Sequence, residues 1–427
     1  MTETAPATSR FKAPRALFWT ALGVRLAYIL LAHMYHVRAA GDHFQFGWEM
    51  GRIARALVTG FGYSDPFTGH TGPTAWVPPL YTLLIAAAFK VFGVYTGAAA
   101  FWLLAFNSVC SAVTAVLVYE IGARCFGRRN AVWAGWLWAL HPAAMQYAVK
   151  WIWEMTLSTM LLTAVIVLAL RMRRIGENVQ AGDEDAQTLG RWLLFGLLWG
   201  LIALSNPALL AFLPVCGVWL LLGARRRMHA AMRAAVAAAV CCAVIAPWAM
   251  RNWKAFGAFI PLRSNFGAEL ALGDGPDAMG FLMEYNHPMQ SARQLRLYSE
   301  LGELRYVQMR GAQAKAAIAA DPAHFLAISA TRFYFFWVSV PQPLDRHPAV
   351  EYAREMSYCF ISLAGLMGLG LALRKRVPAA GLFAWAFLLL PLTYYFVTAQ
   401  ARFRHPIEPL IWVLGVWLFE NARVGKA

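Results

Sequence analysis

The sequence predicts an all-α polytopic membrane protein, a bundle of transmembrane helices, and three observations lead there. The 427 residues are 59% hydrophobic and only 14% charged, where a soluble domain carries roughly a quarter charged residues. Apolar runs of about 20 residues, the length a crossing helix needs, recur along the chain. Alternating ten-residue strand patterns are missing, which argues against an outer-membrane barrel.

The formal net charge of +16 does not point to nucleic acid. Arg and Lys gather in short loops between apolar runs, which is the positive-inside pattern of membrane proteins. The cysteines Cys110, Cys125, Cys216, Cys241, Cys242 and Cys359 lie in or beside apolar runs. Neither long polar region contains one, so no disulfide framework is expected.

In chain order, residues 1–15 read as a cytoplasmic tail. Ala16–His33 reads as a retained first span with Arg25 inside it, facing protein or snorkelling. Val77–Phe92 begins with Pro78-Pro79 and is too short to cross, so it reads as a helix at the membrane surface. Spans are then expected at Ala98–Ile121, Ala131–Ala148, Met155–Leu170, Trp192–Leu204, Pro207–Leu222 and Met232–Met250. Three more follow at Ser357–Leu373, Ala379–Val397 and Pro406–Phe419, giving about 10–12 spans in all by hydropathy. With the N-terminus inside, the clusters Arg124–Arg129, Arg171–Arg174, Arg225–Arg227 and Arg374–Arg376 all fall on one side. His324–Val340 is expected to lie at the membrane surface or to re-enter, because counting it as a span would break that rule. Two regions then face outward, residues 36–96 and 251–355. The chain divides accordingly into a transmembrane module over 16–250, the outward region 251–355 and C-terminal transmembrane helices over 356–427. Leu297, Leu301 and Leu304 recur at helical spacing within the second outward region, with Glu300 and Glu303 on other faces, which predicts one amphipathic helix. Asp321-Pro322 ends it.

Candidate chemistry lies in these outward regions. Asp42 directly follows the first span and precedes a predicted helix over Phe44–Thr59, whose Phe46, Met50, Ile53 and Leu57 share a face. Gln45, Glu49 and Arg52 fall elsewhere on that helix. A carboxylate at the headgroup level can act as general base on an acceptor hydroxyl or amine; it can equally be a helix N-cap. His43 is its neighbour. Tyr63 sits in the Gly-rich turn Phe61-Gly62-Tyr63, by composition a surface loop and by position a substrate contact; Trp76, Pro78, Pro79 and Tyr81 suit a sugar or lipid pocket, with membrane anchoring as the alternative for the aromatics. Glu154 and Lys150 bound the outward loop Lys150–Glu154, where the acid is a second catalytic candidate or a helix-start carboxylate. Arg251, Arg402 and Arg404 break the positive-inside trend. Guanidinium groups on the outer side suit phosphate, with headgroup contact as the alternative. No phosphate-binding Gly-rich loop, nucleophile elbow or zinc motif is present, and no metal ligand set stands out.

The order of these motifs resembles a family. One N-terminal span and an acid are followed by an amphipathic helix, Gly-Phe-Gly-Tyr and Pro-Pro-Leu-Tyr. Then come Cys-Phe-Gly-Arg-Arg-Asn-Ala, a helix ending in His-Pro, Pro-Trp-Ala-Met-Arg-Asn at Pro247–Asn252, and Arg-Phe-Arg-His-Pro-Ile-Glu-Pro at Arg402–Pro409. The whole looks like the bacterial lipid-linked-sugar glycosyltransferases of the GT-C fold. Their nearest groups are the glycosyltransferase family 39 type, the protein O-mannosyltransferase relatives and the aminoarabinose transferase of lipid A. The resemblance implies a polyprenyl-phosphate sugar donor and inverting transfer of a hexosyl or pentosyl unit to a lipid, glycan or protein acceptor. It also implies a multi-pass protein of the bacterial cytoplasmic (inner) membrane with its active face outward. Carried over by position, Asp42 and Glu154 match the two acids, and Arg251, Arg402 and Arg404 would meet the donor phosphate. Many relatives read Asp-Glu or Glu-Pro at the first acid, where this chain has Asp42-His43, and Gly-Asn where it has Gly273-Asp274, so no paired-acid metal site is evident and a divalent metal is left as an open cofactor. A transporter of lipid or small solute is the alternative. It would need charges at mid-membrane and repeated halves, and no domain-scale repeat is visible.

Overall fold

The computed structural model describes residues 7–37, 46–178, 186–275, 286–339 and 348–424. Within them the chain is helical, and the sole β pairing is an isolated bridge between Ser64 and Pro73. The first half runs α1 (Ala7–Leu31), α2 (Glu49–Val58), α3 (Pro79–Phe92), α4 (Gly97–Cys125), α5 (Arg128–Leu140), α6 (Pro142–Val149), α7 (Met155–Met172), α8 (Leu189–Ala203), α9 (Leu213–Leu222) and α10 (Arg227–Phe256). The second half runs α11 (Phe266–Asp274), α12 (Ala292–Leu301), α13 (Glu303–Ala320), α14 (Pro322–Val338), α15 (Pro348–Arg374), α16 (Ala380–Leu389), α17 (Leu392–Phe396) and α18 (Glu408–Val424). A 3-10 turn over Ala401–Ile407 leads into α18.

Five helices among the described residues are long and apolar enough to cross a membrane: α1, α4, α7, α10 and α15. Shorter apolar helices occupy Pro79–Phe92, Leu189–Ala203, Pro207–Leu222 and Ala380–Phe396. The apolar run expected as one span over Ala131–Ala148 is two helices, because Pro142 cannot donate into the α5 ladder and starts α6 at its first position.

The core sits around α7, whose apolar window is 83% buried, while those of α1 and α10 are 22% and 17% buried. α4 packs on α1, α5 and α7; α8 lies along α10, and α15 along α18. Polar side chains join the helices where backbone groups have no water to bind. Tyr81 O–H donates to Asn107 Oδ1 at 2.9 Å, and Asn107 Nδ2 donates to the Trp151 carbonyl at 2.9 Å. This ties α3, α4 and the 150–154 loop together. Arg25 faces protein: it is fully buried and donates to the Ala139 carbonyl at 2.7 Å.

Three local expectations are corrected. The helix predicted over Phe44–Thr59 begins at Glu49, since Gly47 and Trp48 take left-handed φ values of 76° and 52° and cannot continue a helical turn. Its polar residues Glu49 and Arg52 are buried against protein, not turned away from it. The single amphipathic helix expected through Leu297, Leu301 and Leu304 is broken at Gly302, which has φ 73°. Glu303, expected on a different face from those leucines, is buried as the first residue of α13. Asp321-Pro322 does end α13: the Asp321 carboxylate accepts the His324 N–H at 2.9 Å and caps α14.

Candidate active site

A cavity of about 370 Å³ opens where α2, the 73–78 segment, the 153–154 loop, the start of α11 and the 393–403 segment meet. Its ionisable lining comes from distant parts of the chain: Glu49, Glu154, Arg263, Glu269, His287 and Arg402. Trp48, Trp76, Trp153 and Tyr394 supply aromatic walls, the flat apolar surfaces that suit a sugar ring beside a few placed polar groups.

Arg402 dominates the electrostatics. Its guanidinium lies 4.1 Å over the Trp153 ring and 5.2 Å from that of Phe403, a stacking geometry that guanidinium favours. Among the described residues it makes no hydrogen bond and no ion pair within 4.0 Å. Burial lowers its pKa, and Glu154, Glu49 and Glu269 act in the opposite sense. Its donors therefore face the cavity without a partner.

The acids are poised differently from surface carboxylates. Burial pushes Glu49 up to about 7. Its Oε1 lies 3.4 Å from Nε2 of His287, whose own pKa burial lowers to about 4, so the imidazole is neutral at physiological pH. Burial also raises Glu154 and Glu269, with Arg402 opposing in both cases. Glu154 Oε2 is sealed from solvent and has no hydrogen-bond partner among the described residues, a costly state that structural carboxylates avoid. Glu269 is 3.7 Å from Arg263 and accepts from Asn265 Nδ2 at 2.8 Å.

Of the residues singled out in the sequence, Trp76, Pro78, Tyr81, Glu154 and Arg402 line this cavity. Asp42 and His43 lie outside the described residues. Lys150 is exposed at the end of α6. Of the three arginines expected to meet the donor phosphate, Arg402 alone lines this cavity. Arg404 is buried inside the bundle, 3.2 Å from Glu408 Oε1 and 3.1 Å over the Tyr358 ring. Arg251 and Tyr63 line a separate groove. The sequence reading missed Glu49, Arg263, Glu269 and His287. Glu269 carried a signal, an acid inside the apolar run Phe266–Gly273; His287 carried none. No group of three or more His, Cys, Asp or Glu side chains among the described residues is arranged to hold a metal ion.

Residues 76–250 match the sequence profile of the dolichyl-phosphate-mannose-protein mannosyltransferases. That segment includes Tyr81 and Glu154 and stops before Arg251. No curated protein matches the chain in sequence. The apo crystal structure of the Archaeoglobus fulgidus oligosaccharyltransferase superposes with a TM-score of 0.57 at 15% identity, over 97% of this chain and 51% of that one. AglB, the archaeal oligosaccharyltransferase from Archaeoglobus fulgidus, in complex with an inhibitory peptide and a dolichol-phosphate, gives 0.55 at 15% identity, over 98% and 51%. ArnT from Cupriavidus metallidurans, bound to undecaprenyl phosphate, gives 0.38 at 12% identity, over 98% and 79%. The chain spans about half the length of the oligosaccharyltransferase it superposes on. The fold class read from the sequence is the observed one: the chain is a multi-pass membrane protein with the GT-C fold.

Proposed function

We propose that the protein is a membrane glycosyltransferase that moves a sugar from a polyprenyl-phosphate donor to a hydroxyl or amine of a lipid, glycan or protein. The observation that carries this reading is the Arg402 guanidinium, stacked on Trp153 and without a partner, in a cavity with three carboxylates. The matching mannosyltransferase profile and the archaeal structure solved with a dolichol-phosphate support it. Arg402, aided by Arg263, holds the donor phosphate. The acceptor attacks the anomeric carbon on the face opposite that phosphate and inverts it. The bond from the anomeric carbon to the phosphate oxygen breaks, and its electron pair leaves with the phosphate. A fixed cation beside that oxygen stabilises the charge as it develops. A carboxylate takes the acceptor's proton. Asp42 is the first candidate from its place after the first span, and Glu154, with its unpartnered oxygen, is the second. The clustering of basic residues in short loops, which the positive-inside rule would put in the cytoplasm, supports an active face turned outward from a bacterial inner membrane.

The test is release of polyprenyl phosphate by detergent-purified protein given a panel of polyprenyl-phosphate sugars, with and without divalent metal. One donor should be turned over. Arg402→Ala should lower turnover by about 10²–10³, the cost of removing one preorganised charge stabiliser. Asp42→Asn should abolish turnover in a folded protein, and activity retained there would move the base to Glu154. Failure to bind any donor, or equal turnover by Arg402→Ala, would refute the assignment.

A further inference from the structure

Arg251 is the cation that the donor site leaves over. It lines a groove of about 490 Å³ with Leu57, Tyr63, Leu83, Trp248 and Ala255, between α3 and α10. The 73–79 segment separates this groove from the cavity. Tyr63 O–H, on the groove side, donates to the Val77 carbonyl at 3.0 Å, while Val77 lines the cavity. Arg251 and Arg402 therefore serve different spaces.

Three features specify what the groove takes. First, the Arg251 charge has no carboxylate within 4.0 Å among the described residues. Its bonds run to neutral oxygens: the Thr74 carbonyl at 2.6 Å, Asn252 Oδ1 at 3.0 Å, and the Tyr63 carbonyl. Glu303, the acid that acts on it at longer range, is engaged by donors of its own. Secondly, those bonds use three of the five guanidinium N–H groups. The Nε–H and one Nη2–H are left, and Nε is not among the sealed polar atoms. Thirdly, the rim is apolar and open: Phe61 is 57% and Leu83 50% exposed, and α10 is among the least buried of the long apolar helices. A free anion would gain nothing from such a rim, whereas an anionic amphiphile matches both parts.

We propose that the α3–α10 groove is a lipid site, in which Arg251 binds the phosphate headgroup of an anionic lipid whose chain lies along Leu57, Leu83 and Ala255. The site is separate from the donor's and does not depend on the transferase reading.

Native mass spectrometry of the full chain in detergent tests this with phosphatidylglycerol, phosphatidylcholine and inorganic phosphate as probes. One Arg without a carboxylate partner near a membrane surface favours an anionic headgroup about fivefold, so phosphatidylglycerol should bind about fivefold better than phosphatidylcholine. Arg251→Gln should remove that preference. Because Arg251 also holds two backbone carbonyls, Leu83→Trp is the second variant: it fills the groove, leaves the guanidinium in place and should lower retention as well. Arg402→Ala should leave retention unchanged, which separates this site from the donor's. Equal retention of the two lipids, phosphatidylglycerol retention undiminished by Leu83→Trp, or displacement of the lipid by millimolar inorganic phosphate alone would each overturn the proposal.

Discussion

Glu303 is the residue whose loss should do most damage per atom removed. It is buried at the start of α13. Its Oε1 accepts the Ala75 N–H at 2.7 Å and the Ser264 hydroxyl at 2.6 Å; its Oε2 accepts the Tyr298 hydroxyl at 2.8 Å and the Thr74 hydroxyl. One carboxylate thereby joins the 74–76 segment to residue 264 and to the end of α12. Trp76 and Arg263, next to its partners, line the cavity. Each buried group left without a partner costs about 1–3 kcal/mol. Glu303→Ala strands four donors and should cost at least about 4 kcal/mol, a large share of the roughly 5–15 kcal/mol that holds a domain folded. Glu303→Gln should cost less, about 1–3 kcal/mol, because hydroxyl donors can rotate to accept while the Ala75 N–H cannot. Unfolding in mixed micelles by added denaturant reads both. A double-mutant cycle with Tyr298→Phe should return a coupling of about 0.5–3 kcal/mol. A Glu303→Ala midpoint equal to that of the parent, or zero coupling, would refute the clamp.

Two further outcomes follow from particular contacts. Glu49 holds its proton up to about pH 7 in the folded protein and to about 4.3 in the unfolded chain, so its contribution is full below the lower value and is lost as pH rises toward 7. Glu49→Gln should flatten the fall in stability between pH 5 and 7, and an unchanged slope in a pH series of unfolding curves would contradict the burial of this acid. At Gly273, an added Cβ would run into the Val397 carbonyl oxygen and crowd Arg332. Gly273→Ala should therefore destabilise by about 1–3 kcal/mol or more, and a protein of parental thermal stability would show that α11 and α17 do not approach this closely.

How much of this was legible depends on whether the cause was local. Apolar runs mark the helices because lipid admits little else, and Pro142 and Asp321-Pro322 mark breaks because proline removes a donor. The start of α2 was hidden because Trp48, a residue with no special taste for positive φ, is held there by its surroundings. The break at Gly302 was overlooked because Leu297, Leu301 and Leu304 keep helical spacing across it. The Arg-Phe-Arg-His stretch shows the limit at the site. It forms a 3-10 turn, in which residues two apart point about 120° away from each other. Arg402 thus reaches the cavity while Arg404 turns into the bundle to Glu408 and Tyr358. Two arginines that look equivalent in sequence have different partners for a purely geometric reason.

The cavity's charge balance explains why its residues come from so many parts of the chain. Three carboxylates face two guanidiniums. Glu49 holds its proton below about 7, and burial raises Glu154 and Glu269 too, with Arg402 opposing, so the acids do not outweigh the guanidiniums. Each carboxylate raises the pKa of Arg402, yet none makes an ion pair with it. A closer acid would neutralise the guanidinium before an anion arrived, and a more distant one would leave it too costly to bury. Acids held by α2, the 154 loop and α11 reach this intermediate distance because each is fixed by its own element. A cluster on a single helix would place an acid within three or four residues of the arginine, as Glu408 is placed against Arg404. That pairing ties Arg404 to Glu408 inside the bundle, and its absence at Arg402 is what the proposed phosphate role requires.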